Sequence, residues 1–391
     1  MDTKLIAKII SDKNGLNLKK MQYKYSVEAV TELLVLFKNA MYKSIPILDF
    51  SGEKLVYLEN ITQVKMNAFK LLFSVQGRSE QYGTKAMEEE IYATFCIENI
   101  ESTRESIQHI VKGYAPTNES EKRIYSMKKG LDYIGNKDNK ITEENIYKLY
   151  QLTVGDLLAE KEKLLPNKFY RHDSVYVLGG KVEHEGLFYQ KLPKYMQELV
   201  AFINFESEFN DLWKAAIIHF YIAYLHPYFD GNGRMARLIH LWYLLQQGYS
   251  ATLFIPFSSS IYQSRKHYYD AYSLIEENAK ISGVIDVTPF LLYFIENVYN
   301  KLNINDIETG VSLELFQSYL DAGSITEKEK DLWNFVLAAY GVSEFSTKQL
   351  EKDFGNAAYA TIRSFVLKFR KMGLLSGQNY ANKVKYRVRS F

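Results

Sequence analysis

Apolar and polar positions follow a helical pattern over most of the chain. Residues 215–225 (Ala-Ala-Ile-Ile-His-Phe-Tyr-Ile-Ala-Tyr-Leu) are apolar nearly all round and contain no breaker, which predicts a helix buried on every side. Pro227 disfavours helical geometry at the residue before it and ends that helix at His226. Gly231-Asn232-Gly233 tolerate positive φ, so the backbone turns tightly there with N–H groups aimed into one concavity. A second helix is expected from about Arg234 through Leu245, with Gly248 as its stop. Residues 30–37 and 61–73 read as amphipathic helices, and 48–58 as a short hairpin or a loop. A β-like interlude follows, with 174–178 and 187–190 flanking Gly179-Gly180 as a turn. Near the C-terminus the pattern predicts a helix over 347–354, a turn at Gly355-Asn356, a helix over about 358–372 and a two-stranded wing around 378–382.

The junction between the two central helices concentrates the chemistry. His226-Pro227-Tyr228-Phe229-Asp230-Gly231-Asn232-Gly233-Arg234-Met235-Ala236-Arg237 holds a base, a metal-seeking carboxylate, a small-residue turn and two guanidiniums. A loop feeding a helix N-terminus is an anion site. Arg234 and Arg237 lie three apart in the first turn of that helix, where cations oppose the macrodipole unless an anion is present. A phosphate chain resolves the conflict. Asp230 is placed to hold Mg²⁺ against the same phosphates. His226 is the nearby side chain whose ordinary pKa suits proton abstraction near neutral pH.

These twelve residues resemble the Fic family signature, His-x-Phe-x-Asp/Glu-Gly-Asn-Gly-Arg-x-x-Arg. Every fixed position matches except the third, where Tyr228 replaces Phe. That position packs into the core in the family, so Tyr is expected to be accommodated if its hydroxyl finds a partner. The intact Gly-Asn-Gly-Arg is similar to members that transfer AMP from ATP to a protein hydroxyl and unlike the altered, kinase-like Doc branch. The resemblance implies a mainly α fold, a Fic-type helical bundle with a β-hairpin flap. It implies that His226 deprotonates a target Ser, Thr or Tyr, and that Asp230 ligates Mg²⁺ between the α- and β-phosphates. Gly231, Asn232 and Gly233 would form the anion hole, with Arg234 and Arg237 on the β- and γ-phosphates. Attack is in line at the α-phosphorus with pyrophosphate leaving, so catalysis is mostly positioning and charge stabilisation.

Three further segments extend the resemblance. Thr94-Phe95-Cys96-Ile97-Glu98-Asn99 is similar to the family's inhibitory motif, Ser/Thr-x-x-x-Glu-Gly/Asn, with Thr94 and Glu98 on one helix face. Its position implies the class with an N-terminal inhibitory helix, in which Glu98 reaches Arg237 and displaces the γ-phosphate from a productive pose. The interlude resembles the flap, with Val175, Val177, Leu187 and Tyr189 pairing with the target's extended backbone by strand addition. Arg171 fits the arginine that precedes it. Residues 258–262 and 265–269 also resemble the family, where a tyrosine lines the adenine pocket; Tyr268 and Tyr269 are the candidates.

Composition narrows the setting. The 391 residues carry a net charge of +2, so no general affinity for nucleic acid is expected. A single cysteine, Cys96, excludes an internal disulfide and fits a reducing, cytoplasmic compartment. No apolar run reaches membrane-spanning length, and no membrane association is expected. Charge is nevertheless uneven: residues 346–391 hold ten Lys/Arg against two acidic residues, a local excess of +8. With its helix–turn–helix–wing pattern this segment is similar to a winged helix-turn-helix, a domain often appended to Fic enzymes. Two uses remain open, duplex DNA or a protein–protein module with a solvated basic face. The expected organisation is an N-terminal helical region (1–84) and a catalytic domain (85–301), followed by linker helices with the winged-helix-like domain (302–391). Within the catalytic domain fall the inhibitory helix (about 86–110), the flap (about 174–190) and the signature loop (226–237). The leading functional expectation is a protein adenylyltransferase, a nucleotidyltransferase acting on other proteins and itself. The alternatives are removal of AMP at the same site and a DNA-bound nucleotide sensor. The target, the trigger and the oligomeric state, a homodimer among the options, stay open.

Overall fold

Why a fifteen-residue segment forms the central helix is visible at its ends. Asn210 caps Asp211–Leu225 by accepting from the N–H groups of Leu212 (3.0 Å) and Trp213 (3.4 Å). The helix then stops at His226, which takes the left-handed conformation ahead of Pro227. Its all-round apolar surface is buried as expected, from Ala215 to Tyr221 and on to Leu225. The chain is described from a computed structural model covering residues 15–59, 84–178, 182–205, 209–302, 310–340, 344–380 and 383–389, with scattered single positions besides. The helix expected over 61–73 and the Gly179-Gly180 turn lie outside the described residues.

The architecture is predominantly helical, with three two-stranded antiparallel sheets among the described residues. It divides into two compact units. One comprises Met1–Val64, Lys140–Tyr243 and Ile261–Tyr299, and the other Lys65–Asn139, Leu244–Ser260 and Asn300–Phe391.

In the first unit, Asp211–Leu225 packs against Leu192–Phe205 and Thr288–Asn297. Ring contacts link His219, His240, Tyr268, Phe290 and Phe294 into one aromatic core. The segment left open as hairpin or loop is a hairpin, Tyr42–Leu48 with Lys54–Leu58. Its turn is held by Asp49, whose carboxylate accepts from Ser51 N and Glu53 N at 2.9 Å each. Gly52 supplies the positive φ of 94°. Tyr221 and Tyr195 donate to the carbonyls of Leu48 and Asp49, so core aromatics hold this hairpin by their polar ends.

The second unit contains Thr84–Ile97, Arg104–Val111 and Glu119–Gly135. Its C-terminal elements run helix Glu327–Tyr340, a bridged residue Phe345, helix Thr347–Phe354, helix Tyr359–Lys371 and hairpin Leu375–Tyr380/Lys383–Val388. Phe345 exchanges both backbone hydrogen bonds with Tyr386 at 2.8 Å, adding a third short strand position to the hairpin. Trp333, Phe365, Phe369 and Leu374 fill the core beneath. Ser346 caps Thr347–Phe354 and Gly355 ends it in the left-handed region, as the sequence pattern required. No described helix is long and apolar enough to cross a membrane.

Candidate active site

His226 is presented by backbone geometry before any side chain acts. It takes φ 53° and ψ 60°, a conformation a non-glycine residue holds only when its surroundings impose it. Its Nδ1 lies 3.2 Å from the Ala223 carbonyl, which can only accept. Nδ1 therefore carries the proton, and Nε2 keeps its lone pair. Burial pulls the imidazole from its ordinary value down to about 4, against the opposing pull of the Ala223 bond. The ring is thus a neutral acceptor at pH 7.

The loop that carries it is tied down one carbonyl after another. Tyr224 O receives His184 Nε2 (2.7 Å), and Leu225 O receives Leu187 N (3.1 Å). His226 O receives Arg171 Nε (2.8 Å), and Pro227 O receives Arg171 N (3.0 Å). These include the carbonyls that a helix end leaves without partners. Arg171 is 2 % exposed and also donates to the carbonyls of Asp173 and Leu187. Burial lowers its guanidinium only to about 10, so it stays charged. Gly186 completes the seam, because a Cβ there would lie 2.7 Å from Arg171 Nη2 and 3.0 Å from His226 Cβ.

The turn that follows is built as the residue types required. Gly231 has φ 78°, and a Cβ on it would meet Val154 at 2.5 Å, so only glycine fits. The helix begins at Asn232, two residues earlier than the pattern indicated, with Gly233 in its first turn. Asn232 is 3 % exposed, and its amide accepts from Tyr228 N (2.9 Å) and donates to Tyr228 O (2.8 Å). Its side chain is therefore spent on staking the turn, leaving the backbone for an anion. Arg234 and Arg237 are 5 % and 3 % exposed. Cations buried that deeply need anionic company, and Asp230 supplies it to Arg234 at 2.8 Å.

Asp230 itself stays 57 % exposed at its side chain. One open carboxylate is the protein share that Mg²⁺ takes when phosphate oxygens complete its shell. Among the described residues no group of three or more His, Cys, Asp or Glu is arranged to hold a metal alone. Tyr228 departs from expectation. It is fully buried and stacks on Tyr150 at 3.8 Å and 6°, but its hydroxyl meets no hydrogen-bonding atom among the described residues. The ring fits by stacking, and the orphaned hydroxyl costs about 1–3 kcal/mol.

The interlude forms a hairpin with a different second strand. Tyr176–Leu178 pairs with Val182–Glu185, Val177 opposite His184, and Val175 O accepts from Gly186 N at 3.1 Å. Leu187 and Tyr189 are not strand residues. Leu187 is 1 % exposed beneath the loop, and Tyr189 opens a single 3₁₀ turn, Tyr189–Lys191. Their apolar character reflects core packing, which alternation over so short a run does not distinguish from pairing. Tyr268 is likewise a core residue, 3 % exposed, with its hydroxyl 2.8 Å from His219 Nε2. That bond satisfies a buried histidine, whereas Tyr269 is 44 % exposed.

In the other unit, Thr94 is fully buried and donates to Ser258 Oγ at 3.0 Å, while Glu90 accepts from Ser258 N at 2.9 Å. The helix carrying Thr94 ends at Ile97 in a Schellman arrangement. Asn99 sits at φ 55°, Asn99 N bonds Cys96 O, and Ile100 N bonds Phe95 O. The Asn after Glu98 is thus a left-handed cap. It fixes Glu98 as the C-cap just past Ile97, where its charge opposes the macrodipole. His184 and Gly186 escaped the sequence reading. Gly186, closing a strand, carried a usable signal; the value of His184 depends on partners 40 and 92 residues away.

Comparison with known proteins agrees with this geometry. The Fic/DOC family matches residues 140–244. The "Protein adenylyltransferase Fic" of Drosophila ananassae is 25% identical over 173 residues, 42% of this chain and 31% of that protein. Its Drosophila willistoni counterpart is 25% identical over 197 residues, 47% of this chain and 36% of that one. The match thus spans about a third of the length of these relatives. A solved fragment of Fic-1 from C. elegans aligns at a TM-score of 0.48 and 15% identity, covering 82% of this chain and 86% of that one. Signature, loop geometry and family match coincide on one segment: through residues 140–244 the chain is similar to the Fic/DOC family.

Proposed function

We propose that this protein is an adenylyltransferase that moves AMP from ATP to a Ser, Thr or Tyr hydroxyl of a protein, itself included, with release of pyrophosphate. The observation that carries the reading is His226, whose Nδ1 is engaged by Ala223 O while Nε2 is left to take a hydroxyl proton. The backbone of Gly231, Asn232 and Gly233, with buried Arg234 and Arg237, would receive the phosphates. Asp230 would hold Mg²⁺, which when bound supplies positive charge at the phosphate oxygens. The hydroxyl proton goes to Nε2 as its oxygen attacks the α-phosphorus in line. Tyr269 is the tyrosine left to face adenine. The hairpin at Tyr176–Leu178, with Val175 and Val177, would receive an extended target segment by strand addition. Functionally the chain divides into 1–84, a catalytic part over 85–301 and a C-terminal part over 302–391.

Glu98 is proposed to restrain the reaction, supported by the motif match and by the cap that fixes its position. In Glu98→Gly, label from α-³²P-ATP entering the protein or lysate proteins is expected to rise at least about tenfold over wild type. Equal inertness of the two, with ATP still bound, would sink the transferase reading and favour AMP removal at the same site.

A second reading concerns the C-terminal part. Its element order, helix–strand–helix–helix–hairpin, supports a winged-helix reading, and Arg363, Arg370 and Lys371 all lie exposed on Tyr359–Lys371. We propose that this face meets duplex DNA in the major groove, with the hairpin on phosphates. Binding to a duplex of about 25 base pairs should weaken steeply with salt, and Arg363→Ala or Arg370→Ala should each flatten that dependence by about one unit of slope. No salt-sensitive binding would leave a protein-docking module.

A further inference from the structure

The turn of the 42–58 hairpin carries a large apolar residue where turn chemistry asks for none. Asp49 closes the turn through the N–H groups of Ser51 and Glu53, and Gly52 supplies the positive φ. Phe50 takes no part in that closure. Its place is explained by what it touches.

Three successive residues of this turn are each bonded by a different tyrosine. Tyr221 donates to Leu48 O (2.7 Å) and Tyr195 to Asp49 O (2.9 Å), while Phe50 N donates to Tyr224 Oη (3.4 Å). Lys191 Nζ adds a bond to Phe50 O at 3.4 Å. A turn closed by its own aspartate needs none of these bonds, so what they fix is its place on the helices Leu192–Phe205 and Asp211–Leu225. They bring the half-buried Phe50 ring onto a face of Tyr224, 4.2 Å between centroids and 24° between planes. The same ring lies 6.0 Å from His184, and His184 lies 5.6 Å from Tyr224.

Three rings from three elements thus close one cluster. They come from the turn of one hairpin, the second strand of the other, and the last turn of the helix that ends at His226. The strand of His184 runs on into Gly186 and Leu187, whose N–H groups bond Val175 O and Leu225 O at 3.1 Å each. Phe50 therefore touches both sides of the seam between hairpin and catalytic loop. We propose that Phe50 is a positioning residue that holds the hairpin of Tyr176–Leu178 and Val182–Glu185 against that loop, and so sets how an acceptor segment meets His226. Removing the ring leaves the turn in place, because the tyrosines bond backbone atoms that any residue at 50 keeps. The anion-binding turn is held separately, by Val154 against Gly231 and by the Asn232 amide on Tyr228.

The effect on AMP transfer rests on the transferase reading; the effect on the seam does not, and the two are read apart. In hydrogen exchange of the full chain followed by mass spectrometry, peptides over 182–188 should exchange at least about tenfold faster in Phe50→Ala than in wild type, with 211–225 unchanged. Unchanged exchange over 182–188 overturns the proposal whatever the activity. In the Glu98→Gly background, Phe50→Ala should lower label passing from α-³²P-ATP to the chain itself and to lysate proteins about tenfold. Its Kd for ATP should stay within about twofold, and Phe50→Tyr, which keeps the ring, should transfer within about twofold of its parent. Full transfer in Phe50→Ala, or a parallel loss of ATP binding, would overturn the positioning role. An inert Glu98→Gly parent would count against the transferase reading alone, and the exchange result would still decide the role of Phe50.

Discussion

In the Glu98→Gly background, His226→Ala is expected to lower AMP transfer by a factor of roughly 10²–10⁴, with ATP binding retained. The reason is local. Ala removes the Nε2 acceptor, but the helix cap survives, because the bonds His226 N to Ile222 O (3.1 Å) and Arg171 Nε to His226 O use only the backbone of residue 226, which Ala keeps. Transfer from α-labelled ATP and equilibrium binding of ATP, measured on the same samples, separate the two effects. Loss of both together would mean the loop had collapsed and would remove the support for a base. The pH dependence adds a second mark. Because burial holds His226 near 4, the rate should be flat from about pH 8 down to the onset of acid unfolding, with no inflection near 6.5. An inflection there would indicate an exposed imidazole and contradict the buried loop.

The second large effect is acid lability of the first unit. His219, His226 and His240 are all held neutral by burial: His226 at about 4, His240 at about 3 and His219 well below its usual value. In the unfolded chain each takes a proton below about pH 6.5. The unfolded state therefore binds more protons, and stability falls as pH drops from 6.5 toward 4. Asp286 works the other way. Burial raises it to about 6, so the folded state binds its proton first and stability is gained below that pH. Three histidines against one carboxyl leave roughly two protons, or ~3 kcal/mol per pH unit between about pH 6 and 4. Against a typical total of about 5–15 kcal/mol, the roughly 6 kcal/mol lost over those two pH units is a large fraction. Urea unfolding followed by Trp213 and Trp242 emission, with Trp333→Phe removing the other unit's signal, reads this directly. A midpoint that moves little from pH 7 to pH 5 would contradict neutral burial of these histidines.

Both predictions show where sequence and structure divide the work. The signature was legible because its requirements are local. A proline ends the helix at His226, glycine is the residue that fits Gly231 against Val154, and two arginines a turn apart call for an anion. The same holds for the buried central helix, for Gly248 and Gly355 as stops, and for the +8 tail with its helix–turn–helix–hairpin order. Asn99 was read as part of a motif, and the structure supplies its reason, a left-handed cap after Glu98.

What only the tertiary structure decided are the matters that depend on partners far along the chain. Leu187 and Tyr189 read as strand, but Leu187 is buried beneath the 224–227 loop and the pairing strand is Val182–Glu185. Tyr268 and Tyr269 read alike in sequence, but folding buries Tyr268 with its hydroxyl on a histidine 49 positions earlier and leaves Tyr269 exposed. Tyr228 is accommodated by stacking on the ring face of Tyr150, with no hydrogen-bond partner for its hydroxyl among the described residues. His184 drew no notice, being one polar residue on a short strand, until folding set Glu276 and Tyr224 O on its two nitrogens. Backbone turns and charge runs are properties of neighbours in sequence and are written there. Tautomers, seams and the burial that sets a histidine's proton affinity are properties of neighbours in space, and only the folded chain creates them.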